Sequence, residues 1–134
     1  MRLLLDTQVA LWWLTANARL STSSRALIAA SPCVVSVASV WEVAIKHRLG
    51  KLPVPPRRFR DEMRTAGAII LSVSDEHALA TADQPERHTD PFDRLLLAVA
   101  RIEHLVLLTA DAALIALAED EPRLPVKGVT TRAE

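Results

Sequence analysis

Apolar residues along this chain gather into short runs separated by longer amphipathic stretches, and the two kinds alternate. The runs RLLL (2–5), CVVS (33–36), AIILSV (68–73) and LVLLT (105–109) are too short for helices. Leu, Val and Ile dominate them, as they do in strands buried on both faces. Between the runs, TQVALWWLTA, STSSRALIAAS, SVASVWEVAIKHRLG, RRFRDEMRTAG, DEHALATAD, FDRLLLAVARIEH and AALIALA predict helices. Ser36 and Ser74 are suited to cap the helices that follow them, Pro32 ends the second helix, and Gly50 and Gly67 are placed as helix stops. KLPVPP and the segment around Pro85 predict loops, and PVKGVT a last strand at a sheet edge. Strands alternating with helices imply an α/β protein with a mainly parallel sheet of about four to five strands, covered on both faces. No repeat, linker or low-complexity block divides the sequence, so residues 1–134 are expected to form a single domain.

Charge changes this picture little. Sixteen basic and sixteen acidic residues leave no net charge. Binding to nucleic acid would therefore need a local patch rather than a basic chain. One cysteine, Cys33, excludes an intrachain disulfide and fits a reducing compartment. MRLLLD is too short for a signal-peptide core, and no apolar run approaches the roughly 18 residues of a membrane span. The expectation is a soluble, cytoplasmic protein without a membrane partner. The three glycines form no phosphate-binding loop.

The candidate chemistry lies in the acids. Asp6 closes the first strand, Glu42 lies inside the helix after the second, Asp93 opens the helix of HTDPFDRLLLAVA, and Asp111 follows the fourth strand. In open parallel sheets ligands bind at the carboxyl ends of the strands, where Asp6 and Asp111 are expected. Each acid also has a plainer reading. Asp6 and Asp111 could cap the helices that follow them, and Glu42 could pair with Lys46 at i, i+4. Asp90 precedes a proline suited to the first helical position and could pair with Arg94. Asp93 lies past the cap, and its i+4 neighbour is Leu97, so no local partner accounts for it. Two carboxylates about 4 Å apart repel by about 4 kcal/mol at an effective dielectric of about 20. Four converging acids would thus require a cation or protonation. All-oxygen ligation suits Mg²⁺ or Mn²⁺, whereas the four histidines and one cysteine lack zinc spacing.

The blocks LLLDT, SVASVWEVAIKHRLGKL, HTDPFDRLLLAVA and LLTAD, from residue 3 to 111, resemble in order and spacing the motifs of PIN-domain ribonucleases, specifically VapC-type toxins of bacterial toxin–antitoxin pairs. The resemblance implies a three-layer α/β/α sandwich and metal-dependent cleavage of RNA phosphodiesters with Mg²⁺ or Mn²⁺. Position by position, it makes Asp6, Glu42, Asp93 and Asp111 the catalytic and metal-binding acids. Asp90, Thr7 and Thr109 would support the pocket. It further implies a homodimer and a cognate VapB-type antitoxin.

Two other features bear on partners. Arg57, Arg60 and Arg64 follow helical spacing and form either an RNA-tracking stripe or a solvated face. Trp12 and Trp13 are adjacent on one helix, so one is expected to face the core and the other an interface, unless both are core. Two alternatives compete with the nuclease: a non-catalytic PIN-like module binding RNA or protein, and another metal-dependent phosphoryl-transfer enzyme. LLLDT superficially matches a phosphatase nucleophile, but position 8 is Gln8, where such sites usually carry a second acid.

Overall fold

Residues 1–130 are described by a computed structural model, which builds them into five strands and seven α-helices. In chain order these are β1 (Leu3–Leu5), α1 (Thr7–Leu14), α2 (Thr22–Ala29), β2 (Cys33–Ser36), α3 (Val37–Arg48), α4 (Pro56–Thr65), β3 (Ile69–Leu71), α5 (Asp75–Ala80), α6 (Pro91–Glu103), β4 (Val106–Thr109), α7 (Ala112–Asp120) and β5 (Val126–Gly128). A 3-10 turn, Thr81–Asp83, follows α5. The strand runs read from the sequence all form, trimmed by no more than two residues at either end. Gly50 and Gly67 adopt φ of +73° and +99°, the left-handed geometry that lets the chain leave α3 and α4. Ser36 and Ser74 cap α3 and α5 by accepting from the backbone N–H groups of Ala38 and His77.

All strand pairs are parallel, in the order β3-β2-β1-β4-β5. The central strand β1 has no accessible surface: Leu3, Leu4 and Leu5 are each 0% exposed. Successive side chains of a strand point to opposite faces. Leu3 and Leu5 accordingly join one core with Val9, Ile28, Phe59 and Met63 of α1, α2 and α4. Leu4 joins the other with Leu96 and Val99 of α6 and Leu114 of α7. Helix α3 contributes Val43 to the first core and Ala38 to the second. The result is three layers, with helices on both faces of the sheet. Each buried leucine is worth about 1.5–3 kcal/mol against exposure. Among the described residues no helix is long and apolar enough to cross a membrane.

The strand order positions the site. The chain runs outward from β1 through β2 to β3, then returns to add β4 and β5 on the other side. A switch point of this kind opens a crevice at the carboxyl ends of the strands flanking it, here β1 and β4. Leu5 is in register with Leu108, and the Asp6 N–H donates to the Leu108 carbonyl at 3.0 Å. Asp6 and Thr109 therefore emerge side by side.

Candidate active site

Asp6 occupies the N-cap position of α1, but its side chain caps nothing. Its Oδ2 instead accepts from Thr109 Oγ1 at 2.6 Å, across the β1–β4 seam. The same Thr109 hydroxyl accepts from the Asp111 N–H at 3.0 Å, so one buried threonine links both acids. Asp111 Oδ1 accepts from the Leu114 N–H at 3.0 Å and caps α7. Of the two plainer readings, capping thus holds for Asp111 and fails for Asp6.

Thr7 donates to Glu42 Oε1 at 2.7 Å and lies 2.9 Å from the buried Ser39 hydroxyl. Lys46 Nζ reaches Glu42 Oε2 at 2.8 Å, so the i, i+4 pair forms on top of this contact. Asp90 caps α6 by accepting from the Asp93 N–H at 2.9 Å. The expected Asp90–Arg94 pair does not form. Arg94 turns back under the preceding loop and donates to four backbone carbonyls, a better match for its planar fork than one exposed carboxylate. Asp93 has a partner that helical spacing could not show: His88 Nε2, 2.8 Å from Asp93 Oδ2, with the two side chains 10% and 15% exposed.

Asp6, Thr7, Glu42, Asp90, Asp93 and Asp111 line one cleft of about 400 Å³, with Thr109 buried beneath. Trp12, Lys46 and Arg19 are also on its wall. Five carboxylates against two cationic side chains make the cleft acidic although the chain is neutral. The electrostatic strain registers at two positions. Burial pushes the Asp93 carboxyl up to about 6; Asp6, Asp90 and Asp111 add to the rise, and the His88 hydrogen bond only partly offsets it. Burial likewise raises Asp6, opposed by the Thr109 hydrogen bond and reinforced by Glu42 and Asp111.

Among the described residues no three His, Cys, Asp or Glu side chains are already closed into a metal cage. The donor chemistry nonetheless fits a hard divalent cation. Asp93 Oδ1 and Asp111 Oδ2 make no hydrogen bond among the described residues, and the repulsion felt by Asp6 and Asp93 is of the kind a cation relieves.

Other sequence candidates lie elsewhere. Arg57, Arg60 and Arg64 stand on α4 and do not line the cleft, and Arg60 is paired with Asp61 at 2.8 Å. Trp12 and Trp13 are both half-buried against the same core cluster. The exposed tryptophan is Trp41, 58% accessible, with its ring centroid 5.2 Å from that of Phe92. Sequence reasoning missed His88, Ser39 and Arg19. Ser39 had a signal, three residues before Glu42 on one helix face; His88 and Arg19 lie in loops and had none.

A PIN domain model matches residues 3–120. Ribonuclease VapC16 of Mycobacterium tuberculosis is 47% identical over 47 residues, which cover 33% of this chain and 33% of that protein. Two solved structures share the fold at low identity. VapBC2 from Rickettsia felis, bound to a promoter DNA fragment, aligns with a TM-score of 0.69 at 14% identity, covering 96% of this chain and 99% of that one. DNA-bound VapBC from Salmonella typhimurium aligns at 0.61 with 15% identity, covering 96% and 98%.

Proposed function

The chain belongs to the PIN-domain family, and from that premise we propose that it is a metal-dependent endoribonuclease acting as the toxin of a toxin–antitoxin pair. The observation that carries this reading is the cleft. Asp6, Glu42, Asp93 and Asp111, spread over more than a hundred residues of sequence, line one acidic depression at the sheet's switch point. Support also comes from the relatives, one a ribonuclease by name and two of them VapBC assemblies.

In this reading Asp6, Asp93 and Asp111, with Glu42 at the margin, hold Mg²⁺ or Mn²⁺. When bound, the ion supplies an acidified water and charge stabilisation at the attacked phosphate. The chain's own residues set up that chemistry. Thr109 fixes Asp6 against β4, and Thr7 fixes Glu42 against α1. Lys46 and Arg19, on the cleft wall, give an incoming phosphate its cationic contacts. Arg57, Arg60 and Arg64, on α4 outside the cleft, form a separate candidate contact for RNA. The products expected are a 5′-phosphate and a 3′-hydroxyl. We further propose a homodimer, an antitoxin of VapB type and a cytoplasmic site of action.

The test is cleavage of total RNA by the purified chain with Mg²⁺ or Mn²⁺, followed by mapping of the new ends. Cleavage should stop with EDTA and return with added metal. Cutting that persists in EDTA, or phosphatase turnover of small esters without RNA cleavage, would overturn the reading.

A further inference from the structure

The loop between the 3-10 turn and α6 is organised around one guanidinium. Arg94, in the second turn of α6, donates through Nη1 to the carbonyls of Pro85 (2.7 Å) and His88 (2.9 Å). Its Nη2 donates to those of Thr81 (2.6 Å) and Gln84 (3.1 Å). No carboxylate takes part: the charge is spent on backbone alone. Four charge-assisted bonds to carbonyls at positions 81, 84, 85 and 88 fix the path of the loop, and no other side chain has a fork able to span them. A turn bond from the His88 N–H to the Pro85 carbonyl, at 3.2 Å, tightens the same segment. The loop delivers the His88 ring, buried beside α7, to Asp93 Oδ2 at 2.8 Å. A carboxylate only accepts, so His88 Nε2 carries the proton and donates. With Oδ2 tied down, the rotamer of Asp93 is set and Oδ1 is left for the cleft.

We propose that Arg94 and His88 are positioning residues that act in series on Asp93: Arg94 shapes the loop, the loop places the imidazole, and the imidazole aims the carboxylate. This rests on the metal-nuclease reading above and adds to it the origin of one ligand's orientation. Partners of this kind typically govern metal affinity by about 10- to 100-fold.

The experiment titrates Mn²⁺ into the full chain by electron paramagnetic resonance, with circular dichroism and thermal melts confirming that each variant folds. His88→Leu should weaken Mn²⁺ binding about 10- to 100-fold. His88→Gln, whose amide can donate to the same oxygen, should recover most of the loss. Arg94→Lys should weaken binding comparably, and the double variant His88→Leu/Arg94→Lys should bind no worse than the weaker single one, since the two act in series. Unchanged binding in His88→Leu overturns the inference, as does a His88→Gln no better than His88→Leu, or losses that multiply in the double variant. A folded Arg94→Lys that binds Mn²⁺ as well as wild type removes Arg94 from the series, and the two His88 variants decide the role of His88 on their own. A wild-type chain that binds no Mn²⁺ removes the nuclease reading and this inference together, whereas normal wild-type binding with an indifferent His88 removes only the latter.

Discussion

Asp93 is held where its own charge is unfavourable. Burial and three neighbouring carboxylates raise it from 3.8 to about 6. Between those values the folded chain keeps a proton that the unfolded chain has released, so this group's contribution to stability grows as pH falls and is complete near pH 4. As pH rises through about 6 the folded state comes to bear the cost of the ionised form. Asp93→Asn removes the charge with almost no change of shape. It should abolish RNA cleavage while raising the melting point of the metal-free protein by a few degrees near neutral pH. The stability gap between variant and wild type should close by about pH 4, and urea melts in EDTA at several pH values measure it. A variant less stable than wild type at pH 7.5, or one that still cuts RNA, contradicts the role given to Asp93.

Three cleft acids stand at helix N-cap positions, and they divide into two that cap, Asp90 and Asp111, and one that does not, Asp6. Asp90 is exposed, accepts from the Asp93 N–H and precedes a proline at the first helical position. Asp90→Ala should cost about 1 kcal/mol of stability, seen as a lower urea midpoint. Asp6 stands at the equivalent place on α1 without bonding to it, so Asp6→Asn should show no such cap loss in the same assay. This contrast marks how far local sequence reaches. The strands, the Ser36 and Ser74 caps and the Gly50 and Gly67 stops were legible because each depends on residues within a turn or two. The Thr109–Asp6 bond joins residues 103 apart, and no local pattern encodes it. Two details of the helix ends carried no sequence signal, for a chemical reason. His77 completes the capping box of α5 where Glu or Gln is usual, and His104 ends α6 in a left-handed conformation without glycine.

At the scale of the whole molecule, a neutral chain gathers five of its sixteen acids in one cleft and leaves Arg57 and Arg64 exposed on α4. Salt should therefore weaken RNA binding less steeply than for a basic nuclease. Gel filtration should give the mass of a dimer for the chain alone and a larger complex with the protein encoded beside it. Two independent monomers would count against the proposed assembly. The four acids were legible as candidates from their places at strand ends and helix starts. Their meeting was not, because it depends on β4 pairing with β1 after the chain has already built β2 and β3 on the other side. That late pairing has a consequence for the making of this protein. Until residues 106–111 have been made, the cleft lacks Thr109 and Asp111 and stays incomplete. Completion of the sheet is what brings Asp6 and Asp111 into one cleft.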